Sequence, residues 1–134
     1  MPEQKELLFV CSAGENRSPI GAQMFNDLLG RDGLAGEYHA SSAGWLANRP
    51  TAQQVTDAYG IFACDNGVST AIEKECPGAG IKVRNLQIPD VYDASSPSDA
   101  AELKTMFTTL YDTGEWKYAV WRRKAFCFLP SMGP

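Results

Sequence analysis

A short apolar run that stops at a cysteine and leads through a loop into a helical pattern constrains the fold of this chain more than any other feature. The run covers residues 7–10, Cys11 ends it, and Arg17 and Ser18 follow after five intervening residues. Ser18-Pro19 is typical of a helix start, because proline is tolerated in the first helical turn. Apolar residues then recur at helical spacing, up to a glycine that can end the helix: Ile20, Met24, Phe25, Leu28, Leu29 and Gly30. The pattern predicts a strand, a loop and a helix in direct succession.

Strand and helix patterns alternate along the rest of the chain. Strands are predicted at residues 5–10, 37–42, 59–64 and 81–86, and helices at 18–29, 52–58, 68–76 and 99–111, with Thr51 and Ser98 as N-caps. Such alternation is typical of βαβ units on a parallel sheet, and 134 residues suit one domain. We therefore expect the α/β class, with a four-stranded parallel sheet flanked by helices in a single domain over residues 1–134.

The last part of that domain, residues 114–134, is expected to be a C-terminal extension, because neither a helical nor a two-residue period fits it. It surrounds three successive cations with aromatic and other apolar residues. Two interpretations stay open. The segment packs across the domain with its cations in solvent, or it forms a surface for a partner or for self-association.

Charge and cysteine content argue against several classes of function. The net charge is −4, so no basic field favours nucleic acid or an anionic membrane as a partner. The polar first residues lead into no signal-peptide core, and no apolar run approaches membrane-spanning length. Four cysteines without a Cys-x-x-Cys pair, beside one histidine, argue against a zinc site. We expect a cytoplasmic protein with reduced thiols, no metal and no cofactor.

The strand-to-helix junction has the layout of a nucleophile that attacks phosphate. It consists of a cysteine, five loop residues and then Arg-Ser. The strand fixes the thiol of Cys11 at the mouth of a loop, whose backbone amides and following helix dipole favour an anion. Arg17 can direct its guanidinium fork to two phosphate oxygens. The alternative from these residues alone is that Cys11 is a small buried apolar residue and Arg17 lies on a solvated helix face.

Four separated motifs in this order resemble the low-molecular-weight protein tyrosine phosphatases, and more closely a compact prokaryotic branch of that group, over residues 5–111. Residues 8–19 are similar to the phosphate-binding loop, and residues 41–44, Ser-Ser-Ala-Gly, to the second-strand signature. Asp65 lies where the family often has an acidic residue. Residues 88–92, Ile-Pro-Asp-Val-Tyr, resemble the loop of the general acid. The resemblance implies a flavodoxin-like fold and hydrolysis of a phosphorylated protein or a small phosphomonoester through a phosphocysteine.

The resemblance also implies a role for each site residue. Cys11 is the nucleophile, activated by the helix terminus and a nearby cation, and Ser18 donates its hydroxyl to the sulfur. Arg17 stabilises the equatorial oxygens, over which the transition state spreads its charge. Asp90 protonates the leaving oxygen and then activates water, with Asp93 as the nearby alternative acid. The expected substrate-binding residues are the loop positions and two aromatic candidates for the pocket walls: Ser12, Ala13, Gly14, Glu15, Asn16, Trp45 and Tyr92.

Two positions in the loop depart from the family pattern. Gly14 stands where the family usually has an asparagine that braces the loop, and glycine permits the same backbone without the brace. Glu15 places a carboxylate inside the anion-binding loop, where it repels a dianion or attracts a basic group beside the phosphate. Both residues are expected to affect rate or selectivity.

Three other functions stay open at this point. Residues 11–14 also resemble the phosphocysteine loop of sugar phosphotransferase domains, which are phosphocarriers, although a carrier has no need for Arg17 and an acidic loop. An arsenate reductase of the same fold needs resolving cysteines, and the positions of Cys64 and Cys76 do not match that spacing. A non-catalytic anion-binding protein is compatible with Glu15.

Overall fold

The computed structural model describes residues 4–13, 15–46 and 49–118 of the chain. The strands are β1 (Lys5–Cys11), β2 (Tyr38–Gly44), β3 (Gly60–Ala63) and β4 (Val83–Asn85), and the helices are α1 (Arg17–Arg31), α2 (Ala52–Asp57), α3 (Asn66–Glu75) and α4 (Pro97–Thr113). Two short 3-10 helices cover Ala79–Lys82 and Glu115–Tyr118. The predictions made for Gly14 and for residues 119–134, including most of the proposed self-association surface, lie outside the described residues.

The four strands form one parallel sheet in the order β2-β1-β3-β4, which confirms the predicted α/β class and four-stranded architecture. Strand β1 lies between β2 and β3, with Cys11 paired to Gly44 and Val10 to Ala63. The carboxyl ends of parallel strands meet at one edge of the sheet, and ligands of such folds bind there. Because β1 ends at Cys11, the cysteine lies at that edge.

The two faces of the sheet carry different cores. One face is aromatic and packs against α1 and α4, with the rings of Phe9 and Phe62 stacked at a centroid distance of 4.8 Å and Trp116 fully buried. The other face is more aliphatic and packs beneath α2 and α3 around Ile61 and Ile72. Both faces of β1 and β3 are thus covered, which explains why these strands read as continuous apolar runs. The burial of Trp116 also shows that the first residues of the predicted extension pack into the domain.

Helix α1 approaches α4 closely at Gly21. A Cβ atom at this position would lie 2.6 Å from the ring of Phe107, well inside van der Waals contact. Position 21 is about one helical turn beyond Arg17, on the same side of the helix. The absence of a side chain at Gly21 therefore sets the depth at which α1 packs, and with it the position of the helix start.

Helix α3 begins two residues before its predicted start. The prediction placed its first residue near Val68, whereas the helix covers Asn66–Glu75. The reason is that Asp65 is the N-cap and its side chain accepts a hydrogen bond from the Val68 amide at 2.9 Å. This correction matters for function, because Asp65 has a second contact at the site.

Helix α4 and strand β4 also differ from the prediction. Ser96 rather than Ser98 caps α4, and Pro97 occupies its first position, where a proline loses no helical hydrogen bond. The fourth strand covers three residues instead of the predicted 81–86. Residues 79–82 form a 3-10 helix that follows Gly78, whose φ of 91° is accessible to glycine at little cost.

Candidate active site

Cys11 ends β1 at the carboxyl edge of the sheet, and its sulfur lies beside the hydroxyl of Ser18 in the first turn of α1. The two atoms, Sγ and Oγ, are 3.0 Å apart, and the Ser18 hydroxyl also donates to the Ala43 carbonyl at 3.1 Å. A hydroxyl has one proton, so Ser18 accepts from the thiol while it donates to Ala43, and it must turn that proton toward the sulfur to stabilise a thiolate. The orientation of this hydroxyl thus follows the protonation of Cys11.

The guanidinium of Arg17 reaches the same edge from α1 and is only 1% exposed. Its Nη1 donates to Asp65 Oδ2 at 2.7 Å and to the Ile88 carbonyl at 2.6 Å. Its Nη2 makes longer contacts, 3.4 Å to Ser12 Oγ and 3.6 Å to Asp90 Oδ1. One nitrogen of the fork is therefore firmly held, while the other is the more weakly held donor, which an anion can recruit.

The ion pair between Arg17 and Asp65 keeps both groups charged despite their burial. Burial lowers the pKa of Arg17, but the hydrogen bond with Asp65 and nearby charges more than offset this, so the pKa lies above its ordinary value. Burial likewise raises the pKa of Asp65, but the amide of Val68 and the guanidinium bring it below its usual range. At neutral pH the pair is a fixed cation and a fixed anion beneath the site.

Asp65 is the residue of this site to which the sequence assigned no role. It follows β3 directly, it caps α3, and it holds Nη1 of Arg17. The signal that identifies such a residue is its position, since the first residue after a buried parallel strand lies at the edge where ligands bind.

Asp90 lies in the loop between β4 and α4, with its side chain 62% exposed and one carboxylate oxygen near Arg17 Nη2. The loop is anchored just before it, where the Ile88 amide donates to the Cys64 carbonyl at 2.7 Å. Asp93 is instead engaged by the hydroxyl and the amide of the nearby Ser95, and both hydrogen bonds lower its pKa. Of the two candidate acids, Asp90 is the one that faces the guanidinium.

The side chain of Asn16 connects the two loops of the site. Its Oδ1 accepts a hydrogen bond from the Ala94 amide at 2.8 Å, four residues beyond Asp90 in the chain. The sequence placed Asn16 among the substrate-binding residues. In the structure its side-chain oxygen is used to hold the acid loop against the loop that follows Cys11.

The remaining loop residues differ in exposure. Ser12 and Ala13 are half-buried, whereas Glu15 is exposed. Around the site, Glu15 and the carboxylates of Asp65 and Asp90 oppose the single buried cation of Arg17. The mouth of the site therefore carries more negative than positive side-chain charge among the described residues.

The two aromatic wall candidates occupy different positions. Trp45 is 5% exposed, and the guanidinium of Arg49 lies 4.7 Å from its ring centroid. Tyr92 is half-buried and its hydroxyl donates to Glu102 at 3.1 Å. Trp45 lines the cavity beside the loop that follows Cys11, whereas Tyr92 packs against the aromatic core.

A cavity of about 240 Å³ lies beside the loop that follows Cys11, and its lining is mainly apolar: Ser12, Trp45, Leu46, Asp65, Gly67, Val68 and Ala71. Leu46 at its rim is 80% exposed, and Val91, next to Asp90, is 73% exposed. These are the most exposed large apolar side chains among the described residues, and both adjoin the site. Such exposed apolar groups are typical of a binding surface.

Among the described residues, no group of three or more histidine, cysteine, aspartate or glutamate side chains is arranged to hold a metal ion. In the same residues, no helix has the length and hydropathy required to cross a membrane.

Comparison with known proteins gives one family match. The family model described as low molecular weight phosphotyrosine protein phosphatase matches residues 6–78, which is more than half of the chain. No curated protein sequence matches the chain significantly.

Solved structures with the same fold include three bacterial proteins. YfkJ from Bacillus subtilis is 20% identical, with a TM-score of 0.71 over 87% of this chain and 98% of that one. A low molecular weight phosphotyrosine phosphatase from Vibrio cholerae is 17% identical, with a TM-score of 0.71 over 85% and 99% of the two chains. The YwlE arginine phosphatase from Geobacillus stearothermophilus is 20% identical, with a TM-score of 0.63 over 88% and 99%. At these identities the likeness establishes the fold.

Proposed function

This chain belongs to the low molecular weight phosphotyrosine protein phosphatase family, and from that premise we propose that it hydrolyses phosphomonoesters through a phosphocysteine on Cys11. As a member, it is a cysteine-dependent phosphatase. The observation that carries the proposed mechanism is the meeting of three groups at one edge of the sheet. They are the Cys11 sulfur beside the Ser18 hydroxyl, the buried guanidinium of Arg17, and the Asp90 carboxylate beside that guanidinium.

The first step is attack of the Cys11 thiolate on phosphorus. The Ser18 hydroxyl, 3.0 Å from the sulfur, donates a hydrogen bond to the thiolate and, by the same hydrogen bond, later makes the sulfur a better leaving group. Arg17 Nη2, whose contacts are longer than those of Nη1, turns to the equatorial oxygens while Nη1 stays on Asp65. The cation is thus positioned before the substrate arrives, and catalysis requires little rearrangement on this side.

Asp90 supplies the proton that the leaving oxygen needs, and as the resulting carboxylate it then activates water against the phosphocysteine. Its exposure supports this role, because the leaving group departs from the open side of the site. The second step separates this enzyme from a phosphocarrier, which has to protect its phosphocysteine from water.

For the substrate we propose phosphotyrosine in a protein or peptide, with small aryl phosphates as its simplest analogues. The exposed side chains of Leu46 and Val91 and the apolar cavity beside the loop offer contact to a ring or to neighbouring peptide residues. The reduced thiol that this chemistry requires favours the cytoplasm as its location.

The test is a steady-state assay of wild type and Cys11→Ser with p-nitrophenyl phosphate and with a phosphotyrosine peptide. We expect wild type to turn over both substrates and Cys11→Ser to turn over neither, while the variant still binds inorganic phosphate. Equal activity of the two proteins would refute the mechanism. A stable phosphorylated Cys11 without turnover would identify a carrier instead.

A phosphoarginine side chain is the second candidate substrate, and Glu15 is the observation that favours it. Phosphoarginine carries a guanidinium next to the phosphoryl group, and an exposed carboxylate in the phosphate loop attracts such a cation. One structural relative is an arginine phosphatase. The exposed carboxylates of Glu15 and Asp90 fit a zwitterionic substrate better than a simple dianion.

The variant Glu15→Gln separates the two substrates because it removes the charge and keeps the size. If phosphoarginine is preferred, the substitution lowers kcat/KM for a phosphoarginine peptide and raises it for p-nitrophenyl phosphate. A rise for both substrates would assign Glu15 a purely repulsive role and leave phosphotyrosine as the proposal.

A further inference from the structure

Strand register brings a second cysteine next to the nucleophile. The ladder between β1 and β3 continues past its last pair, because the Cys64 amide donates to the Val10 carbonyl at 2.9 Å. In a parallel pair this bond makes Cys64 the lateral neighbour of Cys11. Side chains alternate between the faces of a strand, and each cysteine is two residues after a phenylalanine of its strand. Both cysteines therefore lie on the face of the sheet where the rings of Phe9 and Phe62 stack.

The two sulfurs interact in the reduced protein. The Cys64 thiol donates a hydrogen bond to the Cys11 sulfur, and this bond, followed by complete burial, raises the pKa of Cys64 well above its usual range. Cys64 is therefore the protonated donor of the pair. When one of the two thiols ionises, it is therefore Cys11, whose sulfur the Ser18 hydroxyl faces from the other element.

The backbone separation also suits a covalent bond between them. Neighbouring strands lie about 4.8 Å apart, and disulfides form across Cα separations of about 4.4–6.8 Å. Lateral neighbours with side chains on one face thus need little backbone movement to join.

We propose that Cys64 is the resolving thiol of Cys11 and that the pair forms a reversible disulfide when hydrogen peroxide enters the site. The inference rests on the proposed function in that both require a thiolate at Cys11. The thiolate attacks one peroxide oxygen, the O–O bond breaks, and Cys11 sulfenic acid and hydroxide result. The Cys64 sulfur then attacks the sulfenic sulfur, the S–O bond breaks, and the Cys64 proton leaves with the hydroxyl group as water. The two cysteines together lose two electrons, which reduce the peroxide.

Oxidation itself makes Cys64 more reactive. Its high pKa arises first from the hydrogen bond to the Cys11 sulfur and in part from the negative charge there, and both effects are lost or weakened once Cys11 is a neutral sulfenic acid. The cation of Arg17, which lowers the pKa of Cys64, remains. The change in the pKa of Cys64 therefore sets the order of the two steps. Cys11 reacts with the oxidant first, and Cys64 reacts only afterwards.

The experiment treats the full-length protein with hydrogen peroxide and maps the cysteines by mass spectrometry. Trypsin places the three cysteines of the described residues in separate peptides, 6–17, 32–74 and 75–82, because Arg49 precedes Pro50. We expect a species in which peptides 6–17 and 32–74 are linked and which dithiothreitol converts back to the separate thiols. Phosphatase activity is lost and regained in step with the link.

Two variants of Cys64 separate its hydrogen bond from its redox role. Cys64→Ser keeps a donor but cannot form a disulfide, so peroxide drives its Cys11 to sulfinic or sulfonic acid, and dithiothreitol restores no activity. Cys64→Ala removes the donor as well, and the pH at which iodoacetamide alkylates Cys11 at half its maximal rate moves upward. Wild type is the control and recovers. Cys76 is disulfide-bonded in the structure and Cys11 and Cys64 are free, so the link of peptide 75–82 is scored separately as a bond that exists before peroxide is added.

The readouts distinguish failure of this inference from failure of the proposed function. The linked peptides and the alkylation of Cys11 are measured without any turnover, so a protein that hydrolyses nothing still tests the pair. Oxidation of wild-type Cys11 to the sulfinic acid without a link to Cys64 would overturn the inference, whether or not the variants fold. Recovery of Cys64→Ser to the wild-type extent would do the same.

Discussion

The two loops that carry the proposed catalytic groups are held in opposite ways. On the nucleophile side, Cys11, Arg17 and Ser18 are all buried, and each is fixed by contacts from the sheet or from another loop. On the acid side, Asp90 and the adjacent Val91 are mostly exposed. The groups proposed to stabilise charge are thus already held in place by the fold, whereas the proposed proton donor is mostly exposed.

This difference matches the two tasks. Stabilising a transition state by electrostatics requires dipoles and charges that are already oriented, because reorienting them during the reaction costs free energy. A proton donor must reach the leaving group and then let the product depart. Substitutions on the nucleophile side should therefore slow every substrate equally, and substitutions on the acid side should slow substrates in proportion to how much their leaving group needs a proton.

The largest effect is expected from Arg17→Lys. An ammonium is a point charge and cannot hold Asp65 and the phosphate oxygens together, so kcat should fall about 10³-fold for all substrates. The measurement is kcat for a series of aryl phosphates, in which the loss should not depend on the leaving group. The control is Arg31→Lys at the exposed end of α1, and a loss for Arg17→Lys no larger than for this control would break the comparison.

The next effect belongs to Asp90→Asn. Loss of the proton donor should lower kcat about 10²-fold or more for alkyl phosphates and far less for p-nitrophenyl phosphate, whose leaving group departs without a proton. The dependence of log kcat on leaving-group pKa is the readout, and it should become steeper in the variant. Asp93→Asn, which removes the alternative acid, should leave this dependence as in wild type, and a steeper slope for Asp93→Asn would reassign the acid.

A smaller effect is expected from Asn16→Ala, which tests the connection between the two sides. Without the hydrogen bond to the Ala94 amide the acid loop loses its tie to the nucleophile loop, and kcat for alkyl phosphates should fall about tenfold. The double variant Asn16→Ala/Asp90→Asn should be little slower than Asp90→Asn alone, since the tie serves the acid. Additive losses would show that Asn16 acts on the nucleophile side.

The last effect concerns stability rather than rate and comes from Asp65→Asn. The pKa of Asp65 is depressed in the folded protein, so its carboxylate stabilises the fold above the unfolded pKa of about 3.9, and this contribution is lost as the pH falls through the folded pKa. The variant should be about 2 kcal/mol less stable than wild type at pH 7, and the difference should disappear in acid. Urea unfolding at pH 7 and at pH 3 measures it, and an equal difference at both pH values would contradict the assignment.

Much of the fold could be predicted from the sequence because the strands are buried on both faces. Such strands are uninterrupted apolar runs, and β1 and β3 stand out for that reason. The ends of helices were less predictable, since they depend on which side chain accepts a hydrogen bond from the unpaired amides of the first turn. Ser96 and Ser98 are both good caps, and only the path of the preceding loop decides between them.

The candidate site also has a part that the sequence predicts and a part that it does not. The loop from Cys11 to Ser18 is local in sequence and could be recognised as a unit, whereas Asp90 was placed by family resemblance. The contacts of Arg17 with Asp65, of Asn16 with Ala94 and of Cys64 with Cys11 join residues that are distant in the chain. These depend on strand order and register, which composition and periodicity do not specify.

The absence of a side chain at Gly21 limits which substitutions this enzyme can tolerate. Because Phe107 fills the space that a methyl group would need, even alanine requires the buried ring of Phe107 or helix α1 to shift. A shift of α1 would carry Arg17 and Ser18 with it. A random mutagenesis screen for activity should therefore find position 21 as intolerant as the catalytic positions, although no atom of Gly21 takes part in the chemistry.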